Sequence, residues 1–290
     1  IVEHDLVPAA DHVSERELEH LLQRVRRAPY AGTIDSVLRD VLAEIVDEVG
    51  FSEMPAVGND ARMKRLHDAC YQKLQRDSDL VRHLARLEYA YPSEQYRDGV
   101  SEILESAVSY CRDRRLSTRD FHQELVQTVE SVYPGGRPES FDDVVNTLRR
   151  FTESDLPESQ YDDLTDKERR RIADADARLH DAWTDRLDDF CVVLDAYRET
   201  YRDAIRERGS MSHTDVAYLI DAYFQGRIET GDGEHRERVK DRYQTRIRSL
   251  IIDEAQDVSA AQHAALAHLV TPDTRVFGSG DLLQSIYLWR

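Results

Sequence analysis

Leu250-Ile251-Ile252 runs directly into Asp253-Glu254, and Ala255-Gln256-Asp257 follow. An apolar, β-branched run that ends in two carboxylates reads as a buried parallel strand delivering acids to a sheet edge. Ligands bind off the carboxyl ends of such strands. Two adjacent acids there can divide labour: one holds the Mg2+ of a nucleotide, and the other polarises an attacking water. Further on come Val276-Phe277-Gly278-Ser279-Gly280-Asp281 and then Gln284-Ser285-Ile286-Tyr287-Leu288-Trp289-Arg290. Tyr287 and Trp289 lie two apart, on one side of an extended chain, which suits a platform for stacking bases. The apolar residues around them suit core aromatics equally well.

The elements that must position these residues are legible nearby. A strand is expected over Ile247–Ile252. Ser259, with Gln262 three positions on, has the spacing of a reciprocal helix cap. The helix it opens carries Ala265, Leu266 and Leu269 and ends before Pro272, and Thr274–Phe277 is the return strand. Far upstream, Val37, Leu38, Val41, Leu42, Ile45, Val46 and Val49 keep helical spacing, with Gly50 as the C-terminal cap. Gly32-Thr33-Ile34-Asp35-Ser36 precedes that stripe. A first helix is expected over Glu15–Arg27. From residue 51 to about 235 the pattern is helical, with no strand evident and loops at Pro134–Pro138 and Glu153–Gln160. Ser140 reads as an N-cap and Thr165-Asp166-Lys167-Glu168 as a capping box. A long helical pattern then runs to Arg208 and stops at Gly209. Asp215, ahead of an apolar run, reads as a helix cap. Residues 230–233 read as a junction, and His235–Arg248 as a solvated basic helix leading into the strand. His263 and His268 read as surface or packing residues.

Asp-Glu-Ala-Gln-Asp at 253–257, followed by Gly280-Asp281-x-x-Gln284-Ser285-Ile286-Tyr287-x-x-Arg290, resembles motifs II and III of the UvrD/Rep-type superfamily 1 DNA helicases. Gly32-Thr33-Ile34-Asp35-Ser36 resembles the family's motif Ib, which contacts single-stranded DNA, with Ile34 and Asp35 in place of an aromatic and a histidine. Asp35 is unfavourable near phosphate and reads alternatively as the cap of the following helix. Tyr197 to Val216 resembles the end of the helical subdomain that this family inserts between motifs Ib and II. The family's phosphate-binding motif I, Gly-x-x-x-x-Gly-Lys-Ser/Thr, is absent from the 290 residues. The chain therefore reads as a fragment of a longer protein, not expected to hydrolyse ATP alone.

The resemblance implies an α/β fold with a large all-α insertion: part of a RecA-like P-loop NTPase domain over 1–50, a helical subdomain over 51–235, and a return to the motor domain over 236–290. It implies ATP and Mg2+ as cofactors and single-stranded DNA and single–double-strand junctions as partners, with movement in the 3′-to-5′ direction. By the same resemblance Asp253 would hold Mg2+ through water, Glu254 would activate the hydrolytic water, and Gln284 would sense the γ-phosphate. Gln256, Asp257 and Asp281 would complete the nucleotide site. Thr33, Ser36, Tyr287, Trp289 and Arg290 would contact DNA. Leu282-Leu283 and Leu288 depart from the family's usual residues, and Leu288 narrows the space for a base. A helicase-nuclease motor of the RecB or AddA kind shares these motifs. A non-hydrolysing DNA-binding relic of the motor fold is the reading from another class, and the intact acid pair and Gln284 argue against it. Repair or recombination proteins are the expected further partners.

Composition sets the remaining bounds. Cys70, Cys111 and Cys191 are scattered, with no metal-binding spacing, and no secretory signal is seen. A reducing cytoplasm is the expected setting. No apolar run approaches the ~18 residues that cross a membrane. The formal net charge is −18, and only four of the 39 basic residues are lysine. Acidic proteins repel phosphate at ordinary salt, so DNA motifs on this surface point to a salt-adapted host, where the repulsion is screened. Stability against urea should then rise with KCl concentration; tightest folding at low salt contradicts this expectation.

Overall fold

A computed structural model describes residues 32–91, 99–152, 161–228 and 233–280, with isolated positions 14, 16, 19 and 23. The expected helix over Glu15–Arg27, the loop over Glu153–Gln160 and the residues from Asp281 onward lie largely or wholly outside the described residues, as do 230–232 of the expected junction.

In order, the described elements are α1 (Ile34–Ile45), β1 (Ala56–Val57), α2 (Asp60–Leu74), α3 (Val81–Ala90), α4 (Val100–Arg114), α5 (Thr118–Val132), α6 (Phe141–Thr152) and α7 (Asp166–Arg208). There follow β2 (Ser210–Met211), α8 (His213–Phe224), α9 (Gly233–Arg246), β3 (Ser249–Ile252), a 3-10 turn (Ala255–Asp257), α10 (Ala260–Ala267) and β4 (Arg275–Gly278). The protein is thus mostly helical, with short parallel strand pairs. One pair, Ala56↔Ser210 and Val57↔Met211, lies within the stretch where no strand was evident. Two-residue strands carry no alternation to read.

Local signals explain most boundaries. Asp166 and Glu168 occupy the positive end of α7 and Arg206 and Arg208 its negative end. Thr165 and Glu168 form the reciprocal box, and Gly209 closes the helix in the left-handed conformation. With 43 residues, α7 is a single unbroken strut, about 65 Å long at the usual rise. Ser140 and Asp143 cap each other. After α1 the chain tightens into turns. Phe51 N donates to Val46 O (3.0 Å) and Gly50 N to Asp47 O (3.1 Å), a Schellman pattern that needs the positive φ of Gly50.

The strut organises the helical body: α2, α3, α5 and α6 lie against it, and α8 packs on α1, α4 and α10. One buried apolar cluster runs from Leu38, Val41, Leu42 and Ile45 of α1 through Leu104, Leu194 and Ile220 to Ala261, Ala265 and Leu269. Burial pushes the three cysteine thiols up to about 11, which keeps them protonated and unreactive. No helix among the described residues is long and apolar enough to cross a membrane.

A polar network lies inside this body. Asp215 of α8 is 1% exposed and Arg112 of α4 is 6% exposed, and the two are paired. The carboxylate also accepts from Tyr201 Oη (2.7 Å) and Ser212 N (2.9 Å). The Arg112 guanidinium stacks over the Tyr201 ring at 4.5 Å. Asp215 is not a lone cap as expected: Ser212 is the N-cap, and Asp215 answers it as the third residue of the box. Burial works against the Asp215 charge, but Arg112 and these donors outweigh it and hold the carboxyl below the usual range. A second fully buried carboxylate, Asp221, accepts from Gln225 (2.9 Å) and Arg227 (2.6 Å) and contacts His268 (2.9 Å). His268, read from sequence as a surface or packing residue, therefore ties the C-terminal end of α10 to α8.

His67 of α2 stacks on Tyr201 (4.7 Å between ring centroids) and bonds Tyr197 through Nδ1 (2.7 Å). Burial pushes its pKa from 6.5 down to about 4. The folded chain therefore keeps His67 neutral, while the unfolded chain protonates it below 6.5. Its contribution to stability is complete above that value and is lost as pH falls towards 4. The loss should total on the order of 3 kcal/mol over that window. Urea unfolding from pH 7.5 to 4.5, beside His67→Phe, checks this: the variant's stability should fall less steeply with acid, and equal slopes contradict the assignment.

Candidate functional site

The acid loop is built at the carboxyl end of β3. That strand pairs in parallel with β4, in the register Ser249↔Arg275 to Ile252↔Gly278, and α10 makes the crossover. The strand–helix–strand unit is the expected one, with each strand starting one or two residues later than read from sequence. The burial of the strand is not as expected. Ile252 is buried and Leu250 half-buried, whereas Ile251, Val276 and Phe277 are 72%, 56% and 56% exposed. The strand β3 alternates, with Leu250 and Ile252 turned to the core and Ser249 and Ile251 outward, whereas all four residues of β4 are exposed, so that strand is uncovered on both faces among the described residues.

Beyond Ile252 the chain turns sharply. Glu254 takes a left-handed conformation (φ 51°, ψ 46°). A non-glycine side chain there costs about 1 kcal/mol. The turn is held by Asp257 N donating to Glu254 O (2.8 Å). The β4 end straps it from the other side: Ser279 N donates to Ile252 O (2.9 Å), and Ala255 N donates to Ser279 O (2.8 Å). The Ser279 hydroxyl donates to Asp253 Oδ1 (2.7 Å), which also accepts from Glu254 N (3.1 Å). Gln256 Nε2 donates to Glu254 Oε2 (2.6 Å). Gln256 Oε1 is buried against Gly280, where a Cβ would overlap it, so residue 280 must lack a side chain for Gln256 to hold this position.

The two carboxylates are thus oriented by neighbours and remain exposed. Asp253 Oδ2 and Glu254 Oε1 have no hydrogen-bond partner among the described residues. The described residues hold no cluster of three or more His, Cys, Asp or Glu side chains that could cage a metal. Two exposed carboxylates and a serine hydroxyl are hard oxygen donors that suit Mg2+, an ion that keeps several waters and takes one or two carboxylates beside a phosphate. The donor chemistry of the Asp253, Glu254 and Ser279 side chains therefore fits Mg2+. Asp257 follows in the 3-10 turn, exposed, two residues ahead of the Ser259 cap. Ser279 was not singled out from the sequence. Its flanking glycines are the signal that could have found it.

The second group of predicted residues sits at the start of α1. Thr33, not Asp35, is the N-cap: Thr33 Oγ1 accepts from Ser36 N (3.2 Å), and Ser36 Oγ donates back to Thr33 O (2.7 Å). Both hydroxyls are exposed. Asp35 lies in the first turn and points to other elements. Its Oδ1 accepts from Gln262 Nε2 of α10 (2.8 Å), and its Oδ2 lies 3.3 Å from His213 Nδ1 of α8. A cap sits one residue before the helix begins, and the helix begins at Ile34, which leaves that position to Thr33. Asp281, Gln284, Tyr287, Trp289 and Arg290 lie outside the described residues.

The basic segment expected over His235–Arg248 is helical through Arg246, as α9. Arg242 pairs with Glu44 of α1 (2.6 Å), Tyr243 donates to the same carboxylate (3.0 Å), and Gln244 donates to the carbonyls of His268 (3.0 Å) and Val270 (3.3 Å) just beyond α10. The helix therefore packs against its neighbours and fixes the entry of β3.

A family model described as the UvrD/REP helicase N-terminal domain matches residues 9–290. No curated protein matches the chain.

Proposed function

The chain belongs to the UvrD/REP helicase N-terminal domain family, and from that premise we propose that it forms part of the first motor domain of an ATP-dependent DNA helicase. In this reading 1–50 and 236–290 belong to a RecA-like domain and 51–235 to its helical insertion. The observation that carries the proposal is the pinned acid loop: Asp253 and Glu254 emerge from the carboxyl end of a parallel strand, each oriented by a neighbouring side chain, with oxygens left over for ligands.

Mg2+ bound with ATP neutralises charge on the phosphates. Asp253 would hold the ion through water, its carboxylate turned by the Ser279 hydroxyl. Glu254 would accept the proton of the attacking water, its carboxylate held by Gln256. A positioned general base contributes about 100- to 10,000-fold. Asp257, Asp281 and Gln284 would complete the nucleotide site, with Gln284 reading the γ-phosphate. Thr33 and Ser36, with hydroxyls exposed at a helix N-terminus, would meet the phosphates of single-stranded DNA, and Tyr287, Trp289 and Arg290 would engage its bases. The 290 residues contain no Gly-x-x-x-x-Gly-Lys-Ser/Thr to cradle the triphosphate, so hydrolysis is a test for the full-length protein. A salt-adapted cytoplasm and a role in DNA repair accompany this reading.

Steady-state ATP hydrolysis by the full-length protein, with and without single-stranded DNA, tests it beside Glu254→Gln. Turnover should be stimulated by DNA, and the variant should lose on the order of 100-fold or more while still binding nucleotide. Equal turnover in the variant, or no turnover of the wild-type protein with any DNA at any salt, contradicts the proposal.

A further inference from the structure

Asp35 is the wrong charge for a turn that meets phosphate, and the structure gives its carboxylate a different task. Both of its oxygens are engaged away from the Thr33–Ser36 hydroxyls, by Gln262 at 2.8 Å and by His213 at 3.3 Å. The contact to Gln262 joins positions 227 residues apart. It also has a fixed direction. Gln262 Oε1 is committed to Ser259 N (3.0 Å) in the box that starts α10, so the amide's other end must face α1. Ser259 lies two residues beyond Asp257, whose N–H closes the turn on Glu254 O. The path from Glu254 to Asp35 therefore runs through one 3-10 turn, one helix cap and one side-chain amide. At its far end Asp35 stands between Thr33 and Ser36. On the other side His213 opens α8, directly after Ser212, whose N–H bonds the buried Asp215.

We infer that Asp35 is a positioning residue that couples the Thr33–Ser36 turn to the acid loop through Gln262, so that DNA held at the turn sets the placement of Glu254. This rests on the motor reading above. A charge-assisted hydrogen bond across two rigid helix starts transmits displacement, whereas the exposed pair with His213 contributes little by itself.

The test uses the full-length protein and separates coupling from binding. Gln262→Glu keeps an acceptor for the Ser259 cap but sets a like charge against Asp35. It should lower the DNA-stimulated kcat on the order of tenfold, with unstimulated turnover, thermal unfolding midpoint and the Kd for an oligo-dT strand all close to wild type. Asp35→Ala should match it, and Asp35→Asn, which retains the acceptor, should keep most of the stimulation. The double variant Asp35→Ala/Gln262→Glu should be no worse than either single change, as expected of two residues acting through one contact. Full stimulation in Gln262→Glu, or a Kd that weakens in step with the lost stimulation, overturns the inference. So does tighter DNA binding by Asp35→Asn with stimulation unchanged, which would make Asp35 a simple repulsive charge. Absence of DNA stimulation in the wild-type protein is the separate outcome that overturns the motor reading, and the inference falls with it.

Discussion

Arg112 and Asp215 form a charged pair with almost no exposure to water, and the placement of the working parts depends on it. Desolvating two charges is expensive, and the return comes only if every remaining donor and acceptor is matched. Here Tyr201 and Ser212 supply the further donors to Asp215, and the Tyr201 ring covers the guanidinium. The pair brings together the end of α4, the last turns of the strut α7 and the first turn of α8. Removing one partner would leave the other buried and unmatched, so the three helices meet in one arrangement. Apolar packing alone is less directional.

From that junction the order passes outward to the chemistry. α8 touches α1 through His213 and Asp35, and α10 through Asp221 and His268. α9 grips Glu44 of α1 and the carbonyl end of α10. These contacts fix both ends of the crossover that carries the acid loop, and the Gly278–Gly280 segment locks the loop itself. Glu254 keeps an unfavourable backbone conformation because the surrounding hydrogen bonds leave it no alternative. A carboxylate held in this way needs little reorganisation, which is the property the general base proposed above requires.

Much of this was legible in the sequence where the signal is local. The capping boxes at Thr165 and Ser259, the glycine stop at 209, and the strand, crossover helix and parallel return strand all follow from spacing and turn chemistry, whereas α1 stops at Ile45, ahead of the expected Gly50. Contacts between distant residues left no such trace. Arg112 is one of many arginines, and nothing in its neighbours marks it as the partner of Asp215. The Ala56–Val57 and Ser210–Met211 strands are too short for a period and pair across more than 150 residues. Asp35 looked like a cap because acids at helix starts often are; Thr33 took the cap, and the acid turned to a helix more than 200 positions away. The exposure of Ile251, Val276 and Phe277 was hidden because an apolar run looks the same whether both faces of a strand are covered, one, or neither. In the site, the sequence marked the acids themselves but not Ser279, whose hydroxyl orients Asp253.

Translocation kinetics test most directly the proposal that the acid loop serves a machine converting ATP hydrolysis into movement along DNA. The full-length protein, pre-bound to single strands of increasing length labelled at one end, would be started with ATP and trapped on release. The expected result is a lag before the signal from a 5′-end label that grows in proportion to strand length, with no such lag for a 3′-end label. Signals independent of length at both ends, in a protein that binds the strands and hydrolyses ATP, would contradict it.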